Sequence, residues 1–398
     1  MLGMTQSGRQ IARGSPAFRR VNRAMFAAGF STFALVYCLQ PLMPEFARTF
    51  GVSAATSSLS LSVTTAVLAV ALLVVGALSD AWGRHAIMTL SLLASALLTL
   101  VTAVVPSWHA LLVLRALEGL TFAGVPALAM AYLSEEVQPE SVGLAIGLYI
   151  GGSALGGMSG RLLTGALTDL FSWRTAVSAI GAIGVVAAIV FARSLPPSAH
   201  FSPRRVPLHS LLDAYALHLR DRHLVTLFAE AFLLMGSFVA AYNYLGFRLA
   251  APPYALSHSV LGAVFLVYIV GIAASAWIGH LAGTLGRAPT FRGSVALMLG
   301  GVLLTLATPL WLVVSGLIVM TFGFFGAHSV ASSWVGLRAR QSRAHASSLY
   351  LFAYYTGASV AGWAGGIFWS HWRWAGVVGY VGVLLAVGLL ASLAFTDR

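Results

Sequence analysis

Apolar residues run along this chain in long stretches, and the polar residues gather between them. We count twelve such stretches, at roughly 24–47, 56–78, 86–105, 109–133, 141–167, 174–193, 223–249, 258–282, 291–309, 311–336, 344–369 and 373–395. A helix needs ~20 mainly apolar residues to cross hydrocarbon. None of the stretches alternates with a period of two, which excludes the tilted strands of a closed barrel, the other backbone arrangement that lipid permits. The pattern predicts an all-α integral membrane protein with twelve transmembrane helices. The first stretch is too long for the apolar core of a signal peptide and contains Pro41 and Pro44, so it reads as a retained span.

The only long polar segment lies near 193–222. It divides the spans six and six, and holds a candidate amphipathic helix at Leu208–Leu219 that could lie on the membrane surface. The halves also repeat in sequence. Gly76-Ala77-Leu78-Ser79-Asp80-Ala81-Trp82-Gly83-Arg84 returns as Gly279-His280-Leu281-Ala282-Gly283-Thr284-Leu285-Gly286-Arg287, with Gly283 in place of the acid. Tyr149, Gly152, Gly157 and Gly160 return as Tyr354, Gly357, Gly362 and Gly365, and Trp173-Arg174 as Trp372-Arg373. Three pairs in near-constant register predict two pseudo-symmetric six-helix bundles. The expected parts are a tail at 1–23, a first bundle at 24–193, a linker at 194–222 and a second bundle at 223–398.

Composition agrees with lipid as the main solvent. The chain is 59% hydrophobic and 9% charged, too few charges for a water-exposed surface of this size. Its single cysteine, Cys38, rules out a disulfide within the chain. The net charge of +12 comes entirely from arginine, and the arginines sit mostly between apolar runs. That distribution is one of topology, not of a nucleic-acid patch. Placing both termini in the cytoplasm puts 17 of the 23 arginines on that side, in the tail, the central segment and alternate loops. The expected location is a cell inner membrane. Glu135, Glu136 and Glu140 form the one inner loop without arginine.

On these residues the chain resembles the major facilitator superfamily. The loop Gly76–Arg84 is similar to that family's motif between spans 2 and 3. Leu111, Arg115, Glu118 and Gly119 resemble the span-4 motif of its proton-driven members, with Glu118 where glutamine is usual. Gly152, Gly156, Gly157 and Gly160 resemble the span-5 motif of the antiporter branch, which normally has proline at 157 and glycine at 161. Gln40-Pro41-Leu42-Met43-Pro44 is similar to the proline pair of twelve-span drug–proton antiporters. The resemblance implies two bundles rocking about a central site, proton linkage through Arg115, and a barrier to proton leak at the span-5 glycines.

Charge inside hydrocarbon is expensive, so each ionisable residue there is a functional candidate. Arg115 and Glu118 share a helix face and read either as a proton site or as a permanent ion pair. Glu230 has no partner nearby in sequence and reads as a second proton site, or as a group that reaches the interface. Arg161 would bind an anionic substrate or, by preference, pair with Asp169. His328 would titrate near the pathway or be a satisfied buried histidine. Tyr37, Gln40, Tyr149, Tyr242, Asn243, Tyr244, Tyr354 and Tyr355, with His328, are the candidate cavity lining. Their alternative is helix packing and interfacial belts. Such a lining suits a weakly charged amphiphile. The glycines of span 5 would admit a neighbouring helix.

In the loop, Gly76, Asp80, Gly83 and Arg84 are expected to act as a gate, with Asp80 accepting from the N-terminus of span 11 and Arg84 meeting Asp80, Glu135 or Glu136. The eleven histidines show no metal spacing, and no nucleophile elbow, zincin motif or P-loop is present, so no enzyme, metal or cofactor is expected. The sequence therefore predicts a monomeric proton-coupled exporter of a small amphiphilic organic compound, with a symporter or facilitator for a sugar or organic acid as the alternative.

Overall fold

The computed structural model describes residues 10–199 and 208–395, with Asp80 and Leu208 given by backbone alone. Arg9, Arg204, Arg205 and Arg398, counted in the topology argument, lie outside the described residues. Those residues form helices and no strand, apart from one isolated bridge between Ile11 and Val137.

The first span is α1 (Pro16–Tyr37), a 3-10 turn (Gln40–Leu42) and α2 (Met43–Phe50). α3 (Ala54–Trp82) and α4 (Arg84–Thr102) follow, then α5 (Trp108–Phe122) and α6 (Gly124–Glu136), α7 (Pro139–Leu170) and α8 (Trp173–Ser194). α9 (Leu208–Leu219) belongs to the polar segment. The second half has α10 (Arg222–Ala250), α11 (His258–Ala263), α12 (Tyr268–Leu285), α13 (Arg287–Leu304), α14 (Leu310–Arg338) and α15 (Arg343–Ala391).

Ten of these stretches are long and apolar enough to cross a membrane, not counting the shorter α13 with its Arg287 and Arg292. α15 supplies two spans, because Trp372 and Arg373 leave helical geometry and reverse the chain. Phe368 stacks on Tyr380 at 4.5 Å across that hairpin. The fold is thus twelve spans in two six-helix bundles.

Three expected spans are broken, each for a local reason. Pro41 and Pro44 cannot donate to the carbonyls one turn earlier, so the first span stops at Tyr37 and restarts as α2. Pro126 interrupts the fourth span at Ala123, between α5 and α6. A 3-10 stretch (Val264–Val267) separates α11 from α12. The first helix also begins at Pro16, well before the apolar run, capped by the Ser15 hydroxyl.

The repeats in sequence are repeats in structure. Gly83 and Gly286 share one backbone conformation, φ 91° and 93°, at the α3–α4 and α12–α13 turns. Only glycine adopts that region without strain. α7 lies against α1 as the first arm of α15 lies against α10. A methyl group on Gly156 would meet Phe30 O at 2.0 Å, and one on Gly357 would meet Phe232 O at 2.2 Å. These glycines let backbones touch, which is how helices associate where burial in lipid offers no driving force.

The tail, α9 and the turns at Gly83 and Gly286 share one end of the molecule, here the linker face. Ile11 bonds to Glu136 O there, Tyr132 to Pro196 O, and Arg84 clasps Glu135 at 2.5 and 2.7 Å. At the opposite face Arg174 donates to Ala103 O and Val105 O, and Phe46, Phe50, Trp108 and Trp173 pack together.

Candidate functional site

Between the bundles, at mid-height, lies a cavity of about 300 Å³. From the first bundle come Phe33, Tyr37, Gln40, Ser153, Gly157 and Arg161; from the second come Phe238, Tyr268, Phe324, His328, Tyr354 and Tyr355, among others. The walls are aromatic and ordered by stacking: Phe238 on Phe324 at 3.9 Å, Phe324 on His328 at 5.9 Å, and Phe33 on Tyr37 at 6.3 Å. His328 is further held by the Tyr350 hydroxyl, 2.9 Å from Nδ1.

Of the expected lining, Tyr37, Gln40, His328, Tyr354 and Tyr355 face this cavity. Tyr149, Tyr242, Asn243 and Tyr244 lie outside its wall. Tyr149 is buried where α7 meets Gly29 of α1. Tyr242 bonds Thr321 at 2.7 Å and stacks on Phe265. Tyr244 crosses between bundles to Ser58 Oγ at 3.1 Å. A span of mixed aromatic residues does not say which face its neighbours will occupy. Phe238, Tyr268 and Phe324 were therefore missed, although their spacing on three different spans left no signal to find them by.

Arg161 departs most from expectation. It does not pair with Asp169. Its Nε donates to Gln40 Oε1 and its Nη1 to Gly157 O, both at 2.7 Å. The guanidinium carbon stands 4.1, 4.5 and 5.0 Å from the ring centres of Tyr37, Phe265 and Tyr268. Asp169 is taken by the start of α11, accepting from His258 N at 3.0 Å and Ser259 N at 2.7 Å, with His258 Nδ1 at 2.9 Å. Free amides at a helix start attract a carboxylate strongly enough to account for that choice.

Above the cavity, toward the opposite face, the bundles are locked. Gln40 passes its amide to Asn243 Oδ1 at 2.8 Å, so Arg161, Gln40 and Asn243 form one chain across the interface. Ser359 donates to Ser62 O and Tyr244 to Ser58, while Asp169 and Glu45 hold His258 from the other bundle. At mid-height Ile150 and Ile272 edge the cavity and are about half exposed, at 50% and 45%. At the linker face α9 reaches the first bundle through the Tyr215 hydroxyl on Leu73 O.

Arg115 and Glu118 sit away from the cavity, fully buried in the first bundle and ion-paired. Arg115 also donates to Ser60 O and Val36 O, each at 2.9 Å, tying three spans together. Thr99 and Thr102 place their hydroxyls 3.1 and 3.2 Å from Glu118 Oε1. Each of those hydroxyls has a second acceptor one turn back, Ser95 O and Leu98 O. They can donate to a carboxylate, or turn away and accept from a carboxylic acid. Glu230 is different: it is buried, and among the described residues neither of its carboxyl oxygens has a hydrogen-bonding partner.

Of the expected gating loop, Gly83 makes the turn and Arg84 meets Glu135. The Asp80 side chain lies outside what the structure describes. Gly76 has open space around it. Gly152, Gly156 and Gly160 line the α1 contact, whereas Gly157 turns to the cavity and to Arg161.

The family model described as Major Facilitator Superfamily matches residues 25–362. The chain is 48% identical over 382 residues to the uncharacterized MFS-type transporter YybF of Bacillus subtilis (strain 168), covering 96% of this chain and 95% of that one. It is 47% identical over 395 residues to the inner membrane transport protein YnfM of Escherichia coli (strain K12), covering 99% and 95%. Among solved structures, a bacterial homologue of the human lysosomal transporter Spinster, in an inward-facing and unoccupied conformation, superposes with a TM-score of 0.81 at 16% identity, covering 97% of this chain and 99% of that one. The repeated turns, the paired bundles and these matches lead to one conclusion: the chain belongs to the major facilitator superfamily and is a multi-pass membrane transport protein.

Proposed function

We propose that the protein exports a small amphiphilic organic compound in exchange for protons, by alternating access. The observation that carries this reading is the cavity, which lies between the bundles and is bounded toward the opposite face by hydrogen bonds that join them. A site between two repeats, reached from one side at a time, is what rocking bundles require. The arginine count puts the linker face in the cytoplasm and both termini with it. The printed name of the Escherichia coli relative supports an inner membrane. On that reading the structure is closed to the outside. Residues 24–193 and 223–398 are then the moving units, 194–222 is the tether between them, and a monomer suffices.

Protons would be carried by Glu118, by Glu230 or by both. The threonines around Glu118 can satisfy either protonation state, while Arg115 remains bound to backbone oxygens. Among the described residues Glu230 has no hydrogen-bond donor and no ion pair, so no fixed partner there dictates its charge. A symporter or facilitator for an organic acid would use the same cavity, and Arg161 keeps that alternative open.

The test is transport in proteoliposomes under an imposed proton gradient, with Glu118→Gln and Glu230→Gln beside the wild type. We expect at least one substitution to abolish gradient-driven movement while gradient-independent exchange persists. Unchanged gradient-driven transport in both sinks the proton assignment. Substrate moving with the protons rather than against them would make the protein a symporter.

A further inference from the structure

We propose that Arg161 is the recognition group for an organic anion: the transported molecule carries one negatively charged oxygen group, such as a carboxylate, on an aromatic or extended apolar body. This rests on the reading of the central cavity as the substrate site. It narrows the expected weakly charged amphiphile to one charge sign.

Arg161 is 2% exposed, yet among the described residues no carboxylate pairs with it. Buried arginines are ordinarily paired, because an uncompensated charge away from water is costly. The other buried arginine of this bundle, Arg115, obeys that rule with Glu118. Arg161 instead has two neutral oxygens, from Gln40 and Gly157, for a fork of five N–H donors. Three aromatic rings surround the rest of the guanidinium. They ease its desolvation but leave its formal charge uncompensated.

The surroundings point the same way. None of the described residues lining the cavity is an aspartate or glutamate, so Arg161 is the only lining group with a fixed charge. An organic cation would meet that charge with no acid to offset it. An organic anion would supply the missing counter-charge in the planar, two-pronged form that guanidinium favours. Phe238, Phe324, Tyr268 and Tyr354 would cover its apolar part. Because Gln40 links Arg161 to Asn243 of the other bundle, an anion that drew the guanidinium away would also loosen the seal above the site.

The experiment uses purified full-length protein and three matched probes: 4-phenylbutyrate, 4-phenylbutanamide and protonated 4-phenylbutylamine. Binding is measured by calorimetry to the wild type, Arg161→Gln, Arg161→Lys and Tyr354→Trp, the last to fill the cavity. We expect the carboxylate to bind the wild type at least about tenfold more tightly than the amide or the amine, as a charge-assisted bond lost or kept implies. Arg161→Gln should remove that preference and Arg161→Lys should keep part of it. Arg161→Lys also carries the test if the glutamine variant does not fold. Equal or tighter binding of the amide or amine, or a carboxylate preference that survives in Arg161→Gln, overturns the anion assignment while leaving the cavity as the substrate site if Tyr354→Trp blocks binding. Binding that Tyr354→Trp leaves untouched, or no binding of any probe to the wild type, overturns the cavity reading and the anion assignment with it.

Discussion

Arg115 and Arg161 are both buried among the helices of one bundle, and each holds its charge differently. Arg115 is closed by Glu118 and by two backbone oxygens. Removing one member of such a pair strands the other charge, at about 3–5 kcal/mol, whereas replacing both with apolar residues of similar size is close to neutral. Arg115→Leu should therefore lower unfolding stability sharply in detergent, and Arg115→Leu with Glu118→Leu should recover most of the loss. A double variant no more stable than the single one would mean that the bonds to Ser60 O and Val36 O, rather than the charge pairing, carry the stability. The pair was legible in the sequence, since three residues along a helix bring two side chains together. Arg161 was not, because its expected partner, Asp169, stands about two helical turns away on α7 and is held by α11, which lies in the other half of the chain. Local periodicity cannot report a competitor that arrives from 89 residues away, from His258.

Among the helices, glycine decides how closely neighbours approach. Gly156 has no room for a methyl group against the α1 backbone, while Gly147, about two and a half turns earlier on α7, has nothing within 4 Å. Gly156→Ala should destabilise by about 1–3 kcal/mol through overpacking. Gly147→Ala should be neutral or slightly stabilising, by up to about 1 kcal/mol of helix propensity. Thermal unfolding of the two variants tests this, and equal effects would mean that the α1–α7 contact is looser than described. Gly152, Gly156 and Gly160 stand against the backbone of Phe26, Phe30 and Ala34, so close packing accounts for their spacing. Span positions were legible because lipid demands long apolar runs. The breaks at Tyr37 and Ala123 were less so, since a proline marks where a hydrogen bond is lost but not how far the helix will yield.

At the scale of the whole molecule, the two bundles were visible as sequence repeats, and their turns at Gly83 and Gly286 match to within a few degrees of φ. What the repeats could not show is how the halves meet, because the described bonds across the interface join residues far apart in sequence, such as Gln40 with Asn243 and Ser62 with Ser359. These two bonds lie on one side of the cavity, and alternating access requires that they break as the linker face closes. The most direct test is a pair of distances measured by pulsed electron spin resonance in a Cys38→Ser background. One spin-label pair, at exposed Leu170 and Val260, reports the sealed side; the other, at Leu144 and Leu285, reports the linker face. The account predicts a second population, shifted by pH or by a bound anion, in which the Leu170–Val260 distance lengthens as the Leu144–Leu285 distance shortens. Distances that stay fixed under all conditions, or that lengthen together, would contradict it.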